Sequence, residues 1–189
     1  MILIIDNYDP YMSAFYRYIT EEYSCTEIIR NDEKTAEEII SLRPEALIIG
    51  SGAGTVQDTG VCRDVIMQCL GSIPLLGVGL GSEILGECLG LSFKDTPCPS
   101  GKMYNIGFDT SCRLFRSAAD TLPCMCSITR SINTDSLKDD VKIIMRDEYG
   151  RGTGFACEEK KTYGIPVYPA FIGAEGKRII YNFISLIKN

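Results

Sequence analysis

Within the first 90 residues, short apolar runs alternate with helical patterns four times, and that alternation constrains the fold more than any other feature of the sequence. Strands are expected near residues 2–5, 26–30, 46–49 and 75–78. Helices are expected at 11–22, 35–42, 61–70 and from 80 to the late eighties, with Met12, Phe15, Tyr16 and Ile19 showing the helical spacing of the first. Strands joined through helices must lie parallel, and a parallel sheet has to be covered on both faces. The expected fold class is therefore α/β: a single-domain, open, mostly parallel twisted sheet with helices on both faces.

The sharpest stretch of that pattern is 73–90, IPLLGVGLGSEILGECLG. Leu75, Leu76 and Val78 form a buried strand, glycines make a corner, and Ile84, Leu85 and Leu89 return at helical spacing. A strand-to-helix corner flanked by glycines is the form of a nucleophile elbow, which holds a reactive Ser or Cys above a helix N-terminus. The corner position is Gly79, which has no side chain to attack anything.

After Gly90 the texture changes. Runs at 127–132, 141–145 and 154–157 are separated by turn signals at Pro97-Cys98-Pro99, Thr134-Asp135 and Tyr149-Gly150, predicting small antiparallel additions to the sheet. A last helix over 174–187 places Ile179, Ile180, Phe183, Ile184 and Ile187 on one face and closes the core. With 189 residues, no internal repeat and no linker, residues 1–189 are expected to form one domain that buries roughly 70% of its unfolded surface.

Composition removes several chemistries. The chain contains no histidine, so no imidazole is available as a general base for Ser or Cys activation. A net charge of −6 argues against a nucleic-acid groove or an anionic membrane surface as partner. No apolar run approaches a membrane span, and 1–10 lacks the basic region and cleavage site of a signal peptide, so a cytoplasmic location is expected. The nine cysteines are expected to be reduced, with Cys25, Cys69 and Cys88 in apolar patterns where a thiol packs as a small hydrophobe. Cys124 and Cys126, with Cys98 and Cys112 upstream, match no common zinc spacing, so no metal is implied. The polar run Asp6-Asn7-Tyr8-Asp9 at the end of the first strand stands either at a site or as helix-capping groups. The glycine-rich loop 50–55 is neither a Walker loop nor a full dinucleotide fingerprint.

Taken together, Asp6-Asn7-Tyr8-Asp9, Arg30-Asn31-Asp32, Gly52-x-Gly54-Thr55, Gly77-Val78-x-Leu80-Gly81, Gly101-Lys102 and the run from Gly164 through Pro169 to Phe183 resemble a class I glutamine amidotransferase. More specifically, the chain looks like the glutaminase component of anthranilate synthase or aminodeoxychorismate synthase, a flavodoxin-like fold. The resemblance implies a Cys-His-Glu triad that hydrolyses glutamine and passes on ammonia, with no cofactor. The residues at those positions are Gly79, Tyr168 and Ala170. Ser82-Glu83 replaces the usual His-Gln, Arg130-Ser131 keeps only the serine of a Tyr-His-Ser segment, and Ser100 replaces a frequent histidine.

The resemblance therefore implies a glutaminase that has lost its reaction and acts as a non-catalytic binding or regulatory subunit. Its implied partner is a chorismate-utilising synthase subunit, or else a second copy of the chain in a homo-oligomer. A glutamine and oxyanion pocket would survive at Gly52, Gly54, Leu80, Gly81, Glu83 and Ser131, either open to a small anion or plugged by Tyr168. Two alternatives remain: a repurposed enzyme using Ser82, Glu83 or Tyr168, and a sensor of glutamine or an anion.

Overall fold

The computed structural model describes residues 1–96, 103–125 and 130–187. The turn expected at Pro97-Cys98-Pro99, the Gly101-Lys102 motif, Ser100, Cys98, Cys126 and the start of the 127–132 run lie outside them.

The expected alternation is present: β1 (Ile2–Asn7), α1 (Met12–Glu22), β2 (Thr26–Arg30), α2 (Ala36–Ser41), β3 (Ala46–Gly52), α3 (Cys62–Cys69), β4 (Leu75–Val78) and α4 (Leu80–Cys88). Thr35 caps α2 in a reciprocal box with Glu38, which satisfies two otherwise orphaned N–H groups of a short helix. The second half contributes β5 (Phe93–Asp95), β6 (Met103–Phe108), β7 (Thr121–Met125), β8 (Arg130–Ile132), β9 (Lys142–Arg146), β10 (Gly152–Cys157), β11 (Thr162–Ile165) and α5 (Gly173–Ser185).

Nine strands form one sheet in the order β2-β1-β3-β4-β11-β10-β9-β6-β7. The block from β2 to β11 is parallel, and from β11 outward every pairing is antiparallel. The antiparallel additions thus extend the main sheet, with only β5 and β8 paired apart from it. The sequence reading assigns no strand to β11, which takes a central place. Its four residues, TYGI, are too short and too interrupted by Gly164 to show a period, and only pairing on both sides defines the strand. Pro123 lies in β7, the sheet edge, where a missing N–H costs no ladder bond.

Strand alternation divides the core in two. Ile2, Ile4, Ala46 and Ile48 face α1 and α5 through Phe15, Ile19, Ile180 and Phe183. Leu3, Ile5, Leu47 and Ile49 face α2, α3 and α4 through Ile39, Val65, Ile66 and Leu85. The chain leaves β1 toward β2 and then returns across it to β3, so the topological switch lies between β1 and β3. Crevices of open α/β sheets form at the carboxyl ends beside such a switch. Among the described residues no helix is long and apolar enough to cross a membrane.

Candidate functional site

A cleft of about 530 Å³ opens at the carboxyl ends of the parallel strands. Asp9, Pro10 and Tyr11 after β1, residues 51–55 after β3, Gly79 and Leu80 after β4, and Pro166, Tyr168 and Phe171 after β11 form its wall. Ser82, Glu83, Phe93, Arg130 and Thr153 complete it. A second depression of about 660 Å³ lies over α2 and α3, among Asp32, Glu33, Glu37, Glu38 and Asp64, and holds none of the motif glycines.

The floor of the cleft is set by a buried polar network. Asn7 donates to the Gly50 carbonyl at 2.8 Å, and Asn31 donates to Asn7 Oδ1 at 2.9 Å. Tyr8 donates to the Asp32 carboxylate at 2.8 Å, with the Arg30 guanidinium 5.1 Å from its ring centre. Asp6 accepts from the N–H of Asp9, and Asp9 accepts from that of Tyr11. The polar run after β1 therefore locks three strand ends together, and Asp9 alone of its residues lines the cleft.

Gly79 sits between β4 and α4 with φ 56° and ψ −120°, a left-handed conformation that favours glycine. Its N–H donates to Ile165 O at 2.9 Å and its carbonyl accepts from Ser82 N at 3.0 Å, which fixes the corner. A Cβ built on Gly79 would stand 2.3 Å from Ser51 Oγ, so the Ser51 side chain fills the space above the corner. The first N–H groups of α4, starting with Leu80, have no intrahelical acceptor and give the cleft floor a positive partial charge.

Of the residues expected in the pocket, Gly52, Gly54, Leu80 and Glu83 line the cleft with Gly79 and Tyr168. Gly81, Ser131 and Ala170 do not. Gly81 is pressed against β3, where a Cβ would meet Ile49 O at 2.1 Å. Ser131 accepts from Thr96 Oγ1 at 2.9 Å, and Ala170 packs against the core. Tyr168 forms part of the wall and does not plug the opening: its ring stacks on Phe171 with centres 5.3 Å apart and meets Phe15 edge-on. Burial, reinforced by the nearby Asp9 carboxylate, pushes the Tyr168 phenol far up, so it stays protonated at neutral pH and cannot act as a base.

Glu83 and Arg130, two departures from the family pattern, pair with each other at 2.8 Å. Arg130 also lies 3.5 Å from Asp95 and over the Phe93 ring. Ser82 is 2% exposed, and its Oγ would lie 2.9 Å from a Cβ on Gly164, so it faces the sheet. The sequence reading does not find Ser51, Phe93, Thr153 or Phe171, and it treats Arg130 only as a lost motif. The opposite charges at 83 and 130 were the one available signal.

The seven described cysteines are free thiols. Cys69 is buried as expected, whereas Cys25 is exposed because it ends the turn before β2 and not a buried run. Burial pushes Cys88 up, which makes it a poor nucleophile. Among the described residues no group of three or more Cys, Asp or Glu side chains converges on a metal position.

The pattern of the glutamine amidotransferase class-I family matches residues 3–186. The chain belongs to that family. This amidotransferase is 30% identical to the bifunctional protein TrpGD of Thermotoga maritima over 98% of its length, and spans about a third (32%) of that longer protein. It is 29% identical to anthranilate synthase component 2 of Cyanophora paradoxa, covering 99% of this chain and 100% of that one. To the anthranilate synthase component 2 of Azospirillum brasilense it is 28% identical, over 98% and 95% of the two chains. A putative GMP synthase protein from Thermoplasma acidophilum superposes with a TM-score of 0.85 at 19% identity, covering 99% of this amidotransferase and 93% of that chain, a likeness of fold.

Proposed function

We propose that this amidotransferase is a non-catalytic binding subunit of the cytoplasm that no longer hydrolyses glutamine. The observation that carries this reading is Gly79 at the elbow, with neither a nucleophile at the corner nor a base beside it. Tyr168 and Ala170 stand where the family resemblance puts histidine and glutamate. The protonated phenol and the methyl group offer no proton acceptor. Ser82 faces the sheet and Glu83 is held by Arg130, which leaves the repurposed-enzyme reading without an activated group.

What persists is the scaffold around the cleft. The proposed partner is a chorismate-utilising synthase subunit, supported by the names of the relatives, which are anthranilate synthase component 2 proteins. Glutamate release from glutamine is expected to stay at the buffer background, alone and in the presence of such a partner. Affinity purification of the tagged chain from its own cells is expected to recover the synthase subunit. Glutaminase turnover, or recovery of the chain only as a monomer or homo-oligomer, would overturn the reading.

A further inference from the structure

Three buried side-chain polar atoms among the described residues have no hydrogen-bond partner: Arg130 Nε, Thr153 Oγ1 and Tyr168 Oη. All three belong to residues that line the cleft at Gly79. Folded proteins leave few such atoms, because each forfeits its hydration without compensation, and their clustering at one opening calls for a ligand. Thr153 is 4% exposed, which makes its hydroxyl the most fully stranded of the set.

The character of the wall narrows that ligand. Arg130 Nε is donor-only, and the hydroxyls of Thr153 and Tyr168 are able to donate; the first turn of α4 adds backbone N–H groups on the same side. A carboxylate satisfies such an array. Glu83 is already neutralised by Arg130, which leaves Asp9 as the acidic side chain of the cleft wall that faces no cation among the described residues. Asp9 repels a doubly charged anion and offers a seat for one ammonium group. Tyr11, Phe93, Tyr168 and Phe171 contribute aromatic faces to the same cleft, and rings prefer offset or edge-on contact with other rings. A volume of about 530 Å³ is within the range of small-molecule sites.

We propose that the cleft holds a small aromatic amino acid without turning it over. Its carboxylate would meet Arg130, Thr153, Tyr168 and the start of α4, its ammonium Asp9, and its ring the aromatic wall. This inference rests on the non-catalytic reading above, since no reacting group is left to consume a bound amino acid.

Calorimetric titration of the full chain with L-phenylalanine, L-glutamine and 3-phenylpropionate tests it. Saturable heat is expected with L-phenylalanine, and binding at least tenfold weaker with glutamine, which lacks the ring, and with phenylpropionate, which lacks the ammonium. Thr153→Val and Tyr168→Phe remove a stranded hydroxyl each. Without ligand both variants are expected to melt at or a few degrees above the parent, while their affinity for L-phenylalanine falls at least threefold. No saturable heat with L-phenylalanine, equal affinity for glutamine, or unchanged affinity in both variants overturns the assignment. Should one variant fail to fold, the ligand series and the other variant still decide. Glutamate release in the glutamine titration would instead overturn the non-catalytic reading, independently of which amino acid binds.

Discussion

At Gly79 the backbone holds a left-handed elbow, and the Ser51 side chain fills the space above it. A cysteine there would carry backbone strain and a clash at once. Gly79→Cys is expected to lower unfolding stability by about 1–3 kcal/mol in urea denaturation. Adding Ser51→Gly, which removes the clashing atoms and leaves the strain, is expected to restore part of the loss. Equal stability of parent and Gly79→Cys would mean that the corner relaxes. The glycine corner was legible in the sequence because glycines bracket it between a strand and a helix. The Ser51 contact was not, since it joins residues 28 positions apart, on the ends of β3 and β4, that only sheet pairing brings together.

α4 owes its place to a second close approach. Its first turn lies so near β3 that a Cβ on Gly81 would stand 2.1 Å from Ile49 O and 2.8 Å from Gly50 O, both backbone atoms with little room to yield. Gly81→Ala is expected to cost at least about 1–3 kcal/mol in thermal or urea unfolding, because the helix must back away from the sheet. A neutral outcome would show that α4 slides freely over β3. The helix itself was legible from the spacing of Ile84, Leu85 and Leu89. That Gly81 serves packing while Leu80 faces the cleft was not, because a helical pattern does not say which turn meets a neighbouring carbonyl. The motifs after β1 and β2 behave alike: Asn7 with Asn31 and Tyr8 with Asp32 tie strand ends together, a scaffold role invisible in either motif alone.

For the whole molecule, the absence of histidine removes the side chain that ordinarily titrates between pH 5 and 8. Hydrogen bonds from the N-terminus, Thr55 and Lys160 lower the carboxyls of Glu45, Asp58 and Asp140. A lowered acid contributes stability above its unfolded pKa and loses it as pH falls through the folded value, so the loss begins below about pH 4.5. Burial raises Cys62 and Cys112 to about 12 and Cys124 to about 11. Groups raised in this way stabilise the fold below their unfolded pKa, and that contribution declines above about pH 9. Melting temperature is therefore expected to be flat from about pH 5 to 8.5 and to fall on either side. A step near pH 6 to 7 would contradict this, since no described side chain accounts for it.

Residue identity and short-range period were enough for the alternating half of the fold, the glycine corner, the family resemblance and the lack of any imidazole. They could not reveal that β11, too short to show a period, becomes a central strand. Nor could they show that Glu83 and Arg130 neutralise each other, or that Tyr168 lines an open cleft. The three stranded polar atoms gathered around that cleft are likewise a product of packing. Each of these depends on contacts between residues far apart in the chain, and burial and pairing at that range are properties of the packed sheet alone.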